Sequence, residues 1–244
     1  MRRCVVNVST GVDYRALQGR LSQQLDYFGH CEKRLWIEPL PKSWPKHENI
    51  PYAFKAHALK EASFNVDLIA WMDSAILPLR SLEPFWDRIE REDYFIPANP
   101  PDMNYTWTAE SAYDDLFPDM PTEEAKALNK IIPHCSSSVF GMNLLSEIGR
   151  TIFFEFCRLA DTRAFIGPWA NSDGPDKDRY TVDYLKALYL TAPCGPPDVR
   201  GHRHDQTALS VIAWNLGLEL DTEMYAHPEG HPEPGEKVIL YHKI

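Results

Sequence analysis

The 244 residues are 44% hydrophobic and 25% charged, an ordinary globular composition with room for one large α/β domain or two small ones. A formal net charge of −10 sets aside nucleic acid as the main partner, because that needs a basic face; a phosphate-bearing small molecule needs only one or two local cations or helix N-termini. No apolar run approaches the ~18 residues of a membrane span, Met1-Arg2-Arg3 runs into a strand-like segment, and five dispersed cysteines without a CxxC fit reduced thiols, so a cytoplasmic protein is expected.

Cys4-Val5-Val6-Asn7-Val8 reads as a first strand, ended by the turn Ser9-Thr10-Gly11. Residues 14–28 place Leu17, Leu21, Leu25 and Phe28 at helical spacing. Leu35-Trp36-Ile37 is a second strand, and the prolines of 39–45 make a loop. A helix is predicted over 52–64 and a strand over 66–72, so the first 75 residues alternate strand, helix, strand, helix, strand, the order that builds a parallel sheet.

Beyond residue 75, Ser81 caps a predicted helix through 84–89, and 94–96 is a short strand. Residues 97–119 are aromatic and irregular, Thr122 caps a helix to residue 130, and 139–142 is a strand. An amphipathic helix follows over 144–158, then loop over 167–175 and a helix over 181–190. A Pro/Gly loop over 193–201 leads to Asp205, placed as the N-cap of a helix that Gly217 stops, and 238–242 is the last strand. No repeat or linker divides the chain, which reads as one domain over 1–244.

Three places carry candidate chemistry. Asp73-Ser74-Ala75 ends an apolar strand in one carboxylate beside small residues, a usual way for an open α/β sheet to present an acid to a ligand; Asp73 also has a purely local reading as a turn cap. Lys55, on the first turn or two of its helix, suits a phosphate as a point charge or solvent as an ordinary surface lysine. His202-Arg203-His204-Asp205-Gln206 invites a metal reading, although a third spaced ligand is lacking and a helix cap accounts for Asp205 alone. His134-Cys135 and Ser136-Ser137-Ser138 read as structural, and the absence of a P-loop lysine motif, of GxGxxG and of GxSxG removes the matching enzyme classes.

In this order, PYAFKAHALKEA, LIAWMDSAILPLRSLEPFWDRI and GHRHDQTALSVIAWNLGL resemble the nucleotide-sugar-dependent glycosyltransferases of the GT-A fold, over about residues 1–220. The resemblance implies a Rossmann-type mixed, mostly parallel sheet flanked by helices, with 1–75 the nucleotide-sugar half and 76–244 the acceptor half. It implies that Ser9, Thr10, Gly11 and Tyr14 cradle base and ribose, that Lys55 lies near the donor, and that Asp73, Ser74 and Ala75 bind ribose and a metal-bound diphosphate. Trp107, His202, His204 and Gln206 fall on the acceptor or sugar side. Asp205 is the candidate general base if the transfer inverts, or holds the sugar if it retains. The DxD pattern departs at Ala75, where a second carboxylate is missing, and His242 is the candidate to replace it in holding Mn²⁺ or Mg²⁺.

The expected substrates are a UDP- or GDP-sugar and a glycan or other hydroxyl acceptor. Two other classes compete: a metal-dependent hydrolase built on His202, His204, Asp205 and Asp73, and a sugar-nucleotide-binding module without catalysis.

Overall fold

The first strand is apolar on both sides because both of its faces are covered. A computed structural model describes residues 1–175, 191–226 and 237–242; the helix predicted over 181–190 lies outside them. In chain order the elements are β1 (Arg3–Ser9), α1 (Val12–Phe28), β2 (Glu32–Ile37), α2 (Ala53–Ala62), β3 (Leu68–Met72), β4 (Ile76–Pro78), α3 (Glu83–Glu92), β5 (Tyr94–Phe95) and β6 (Ala98–Met103). Then come α4 (Tyr113–Leu116), α5 (Thr122–Asn129), β7 (Pro133–Cys135), β8 (Val139–Asn143), α6 (Glu147–Leu159), β9 (Ala170–Asn171), β10 (Thr191–Ala192), α7 (His204–Asn215), β11 (Tyr225–Ala226) and β12 (Leu240–His242).

The central sheet has the order β2-β1-β3-β8-β5. β1 is parallel to both β2 and β3, while β8 is antiparallel to β3 and to β5, so β8 alone runs against the others. Successive side chains of a strand point to opposite faces. Cys4, Val6, Ile69 and Trp71 therefore enter one core with Ala56 and Leu59 of α2, Phe153 and Phe156 of α6, and Leu209 and Ile212 of α7. Val5, Leu68, Ala70 and Met72 enter the other, with Leu21 and Leu25 of α1 and Phe85, Trp86 and Ile89 of α3. The result is a mixed α/β sheet with helices on both faces.

With β2 on one side of β1 and β3 on the other, the strand order reverses at β1, and the carboxyl ends of β1 and β3 flank the crevice where open α/β sheets bind ligands. A smaller sheet, β11-β12-β4, adjoins it, with His242 of β12 in register opposite Ile76, three residues after Asp73.

Several expected boundaries move. The second strand starts at Glu32, and Thr122 is the first helical residue after Pro121, with no side-chain cap. The 97–119 region contains β6, which tolerates Pro100 and Pro101 because it pairs only with β7 in a two-stranded sheet. Residues 144–146 precede α6, whose real cap is Ser146, accepting from Gly149 N. No described helix is long and apolar enough to cross a membrane.

Phe156 lies fully buried between Phe140 and Phe165, at ring-centroid distances of 5.1 and 5.5 Å. Phe156→Ala is expected to lower unfolding free energy by about 3–5 kcal/mol, read from urea denaturation.

Candidate active site

Three elements that are distant in sequence meet at the crevice. The first turn of α2 supplies Lys55, the residue after β3 is Asp73, and the first turn of α7 supplies Asp205. Lys55 Nζ lies 3.0 Å from Asp73 Oδ1 and 2.8 Å from Asp205 Oδ2, and donates to the Ser137 carbonyl at 3.0 Å. Its side chain is 2% exposed, while those of Asp205 and Asp73 are 4% and 30% exposed. Burial alone would push the ammonium's pKa down, but Asp205 and Asp73 outweigh it and hold the pKa above the ordinary lysine value.

Each carboxylate is itself tethered. Ser137 Oγ donates to Asp205 Oδ2 at 2.6 Å. Trp71 Nε1 donates to Asp73 Oδ1 at 2.7 Å, and Asp73 N donates to the Ser138 carbonyl at 2.7 Å. The faces of Tyr52 and Trp71 lie 5.4 and 5.2 Å from Lys55 Nζ and close off the ammonium from two sides.

Beneath Asp73 runs a polar floor that replaces apolar packing in mid-strand. Asn7 of β1, fully buried, donates to the Met72 carbonyl at 2.6 Å. Its Oδ1 accepts from Gln18 at 2.7 Å and from the Ser74 hydroxyl at 3.2 Å. This network ties the end of β1 to the Asp73-Ser74 turn. The β1 turn itself needs Gly11, whose φ of 86° and ψ of 166° suit glycine, and Gly11 N donates to Glu38 at 2.9 Å.

One positive and two negative side chains give this trio a formal charge of −1. Asp73 remains part-exposed toward the crevice, so the trio offers an entering ligand negative rather than positive charge. No group of three or more His, Cys, Asp or Glu among the described residues could hold a metal by itself. β12 places His242 opposite Ile76, three residues after Asp73.

No family model and no curated protein matches the chain. Among solved structures it is similar to mouse xyloside xylosyltransferase 1 in its apo form, with 10% identity, a TM-score of 0.50, and 99% of this chain and 97% of that chain covered. A glycosyltransferase involved in the glycosylation of the major capsid of PBCV-1 is similar at 11% identity and a TM-score of 0.47, covering 99% of this chain and 92% of that one. The fold is GT-A.

Within the GT-A frame, Ser9, Gly11, Asp73, Ser74 and Ala75 gather at the crevice, with Ser9, Ser74 and Ala75 buried beneath it and Tyr14 exposed on α1. Lys55 corrects the reading of an ordinary surface lysine, and it is not a free point charge either: it is shut between two carboxylates. Asp205 corrects one expectation: it does not cap its helix, which starts at His204 with no side-chain cap, and its Oδ2 is held by Lys55 and Ser137 inside the protein.

His202 and His204 are also turned inward. His202 Nε2 donates to the Ala164 carbonyl at 2.9 Å while Nδ1 accepts from Ala109 N, and His204 Nδ1 donates to the Phe165 carbonyl at 3.1 Å. Both rings are thus held by backbone groups inside the fold, and among the described residues no group of three or more His, Cys, Asp or Glu could hold the metal that the hydrolase reading needs. Trp107 is 5% exposed with Arg203 and His134 against its ring, so it offers no open face for a sugar, and Gln206 donates to the Cys135 carbonyl at 3.3 Å.

Sequence reasoning missed Asn7, Gln18, Trp71 and Tyr52, and read Ser137 as merely structural. Asn7 carried a signal, as a lone amide within Val5-Val6-Asn7-Val8.

Lys55→Met is expected to destabilise the fold by about 3–5 kcal/mol, because it leaves Asp205 buried without its cation; adding Asp205→Asn should restore part of the loss in denaturant titrations. Burial lowers the pKa of His202 to about 4 and of His134 to about 3. The unfolded chain therefore takes up protons on these rings before the fold does, and stability should fall on acidification from about pH 6.5 toward pH 4, by roughly 1.4 kcal/mol per pH unit for each ring. Thermal melts at several pH values, with His202→Gln as the comparison, measure this slope.

Proposed function

We propose that this protein transfers a sugar from a nucleoside diphosphate sugar, of the UDP or GDP type, to an acceptor hydroxyl. The observation that carries the reading is the placement of the Lys55-bridged pair Asp73 and Asp205 at the point where the strand order reverses, in a GT-A fold. The crevice between the ends of β1 and β3 takes the nucleotide, with Ser9-Thr10-Gly11 and Tyr14 along one side and the Asp73-Ser74-Ala75 turn along the other. Small residues at 74 and 75 let the ligand lie close to the backbone.

Asp73, with His242, would hold one Mn²⁺ or Mg²⁺ jointly with the diphosphate, and the ion would supply charge neutralisation for the leaving group. Lys55 orients Asp73 through Oδ1 and Asp205 through Oδ2. Asp205 in turn positions Lys55 through Oδ2, which also accepts from Ser137. The mouse xyloside xylosyltransferase carries a sugar-transfer name on the same fold, which supports the class of reaction.

The test is nucleotide release from a panel of UDP- and GDP-sugars, with Mn²⁺ or with a chelator. Release is expected with at least one donor, is expected to be lost on chelation, and should fall on the order of 10²-fold in kcat/KM in Asp73→Asn. Undiminished turnover in Asp73→Asn removes that residue from the reaction. Donor binding without any cleavage favours a non-catalytic binding module, and no binding of any donor ends the transfer reading.

A further inference from the structure

The segment leading into α7 is packed so tightly that its one outward side chain has a defined place. A Cβ at Gly201 would meet the Trp169 carbonyl oxygen at 2.1 Å, so only glycine lets the chain pass there. His202 and His204 on either side of Arg203 are buried and bonded to backbone carbonyls. Arg203 between them is held by two indoles, its guanidinium carbon 4.0 Å from the ring centroid of Trp107 and 4.0 Å from that of Trp169. Arg200 also lies over Trp107, at 4.7 Å, but it reaches Asp102 at 3.7 Å. Arg203 has no carboxylate partner among the described residues.

The surroundings of Arg203 are left unsatisfied. Its Nη1, Trp107 Nε1 and His134 Nε2 are all buried without a hydrogen-bond partner, and the Trp107 and His134 side chains are 5% and 1% exposed. Asn104 Nδ2 donates to Asn129 Oδ1 at 2.9 Å, which turns Asn104 Oδ1 toward His134 Nδ1 at 2.9 Å. His134 therefore donates from Nδ1 and offers Nε2 as an acceptor. Two of these atoms are donors, Arg203 Nη1 and Trp107 Nε1, and one is an acceptor, His134 Nε2, and the guanidinium has no carboxylate opposite it among the described residues. Water can satisfy such atoms but leaves the guanidinium unneutralised; an anion accepts from the two donors and neutralises it, while a hydroxyl of the same molecule can donate to His134 Nε2.

The recess is offset from the diphosphate crevice. Trp169 is 6.2 Å from Tyr52, whose ring in turn lies 5.4 Å from Lys55 Nζ, so two aromatic rings separate Arg203 from the lysine that touches Asp73. We propose that Arg203, clamped between Trp107 and Trp169, recognises an anionic acceptor, a sugar carrying a carboxylate or a phosphate ester. Stacking keeps the guanidinium planar and leaves its edge for a two-pronged hydrogen bond, which lysine cannot make. The word acceptor rests on the proposed transfer reaction; the anion preference does not.

Calorimetric binding of methyl glucuronide, methyl glucoside 6-phosphate and uncharged methyl glucoside to the full chain tests this without turnover. At least one acidic probe is expected to bind about tenfold or more tightly than the neutral one, a preference that Arg203→Met abolishes and Arg203→Lys only weakens. Which acidic probe wins tells carboxylate from phosphate. Equal affinity of all three, no binding of either acidic probe up to about 10 mM, or a preference that survives in Arg203→Met overturns the proposal. A loss of UDP or GDP affinity in Arg203→Met with the glucuronide and phosphate affinities unchanged also overturns it, by giving Arg203 to the donor. Arg203→Gln repeats the comparison if the methionine variant melts early. An Arg203-dependent anion preference together with no nucleotide release from any donor would sink the transfer reading while leaving the recess in place.

Discussion

A lysine ammonium shut away from water between two carboxylates is the constraint on which this structure depends. Alone, a charge that deep costs several kcal/mol, and each of Asp73 and Asp205 would be repelled by the other without it. Together Lys55, Asp73, Asp205 and the Ser137 carbonyl satisfy one another at 2.8–3.0 Å from Nζ. Because the three charged residues come from α2, the end of β3 and the start of α7, the ion cluster also pins the first 75 residues to the later half of the chain. Its formal charge is −1, and Asp73 is its part-exposed member.

The sheet makes that cluster possible. Small residues on α2 (Ala53, Ala56, Ala58, Ala62), all fully buried, let the helix pack closely on the core, which carries the Lys55 stem inward beside Trp71. On the strand side, Asn7 uses a polar position within the apolar run of β1 to tie Gln18, the Met72 carbonyl and Ser74 into a single floor. Fully satisfied polar networks of this kind hold geometry more tightly than apolar packing does. The same economy is missing around Arg203, where three buried nitrogens stay unpaired.

Much of the front half was legible in the residues. Alternation of strand and helix over the first 75 positions predicts the parallel core β2-β1-β3, and the apolar run ending at Asp73 marks the sheet edge, because periodicity and chain breakers are local properties. The later segments were harder. Pro100 and Pro101 argued against a strand, yet β6 forms because an edge in a two-stranded sheet tolerates missing donors. Asp205 looked like a helix cap from its place after His204, but the pull of Lys55 turned it inward, and Arg203 occupies the cap position with no side-chain bond. His202 and His204 looked like ligands because their backbone-carbonyl partners, Ala164 and Phe165, lie nearly forty residues away.

What the sequence by itself determined is the alternation of elements, the position of the sheet edge and the identity of the one carboxylate delivered there, since each follows from spacing along a few neighbouring residues. What only the tertiary structure decided is the company those residues keep. Lys55 could be read as a free phosphate ligand until the fold placed Asp205, 150 positions away, against it; Arg203 could be read as one charge among several until Trp107 and Trp169 closed on it from opposite ends of a long connection. Burial and pairing are long-range quantities, set by which segments the sheet brings together, and no window of sequence contains them.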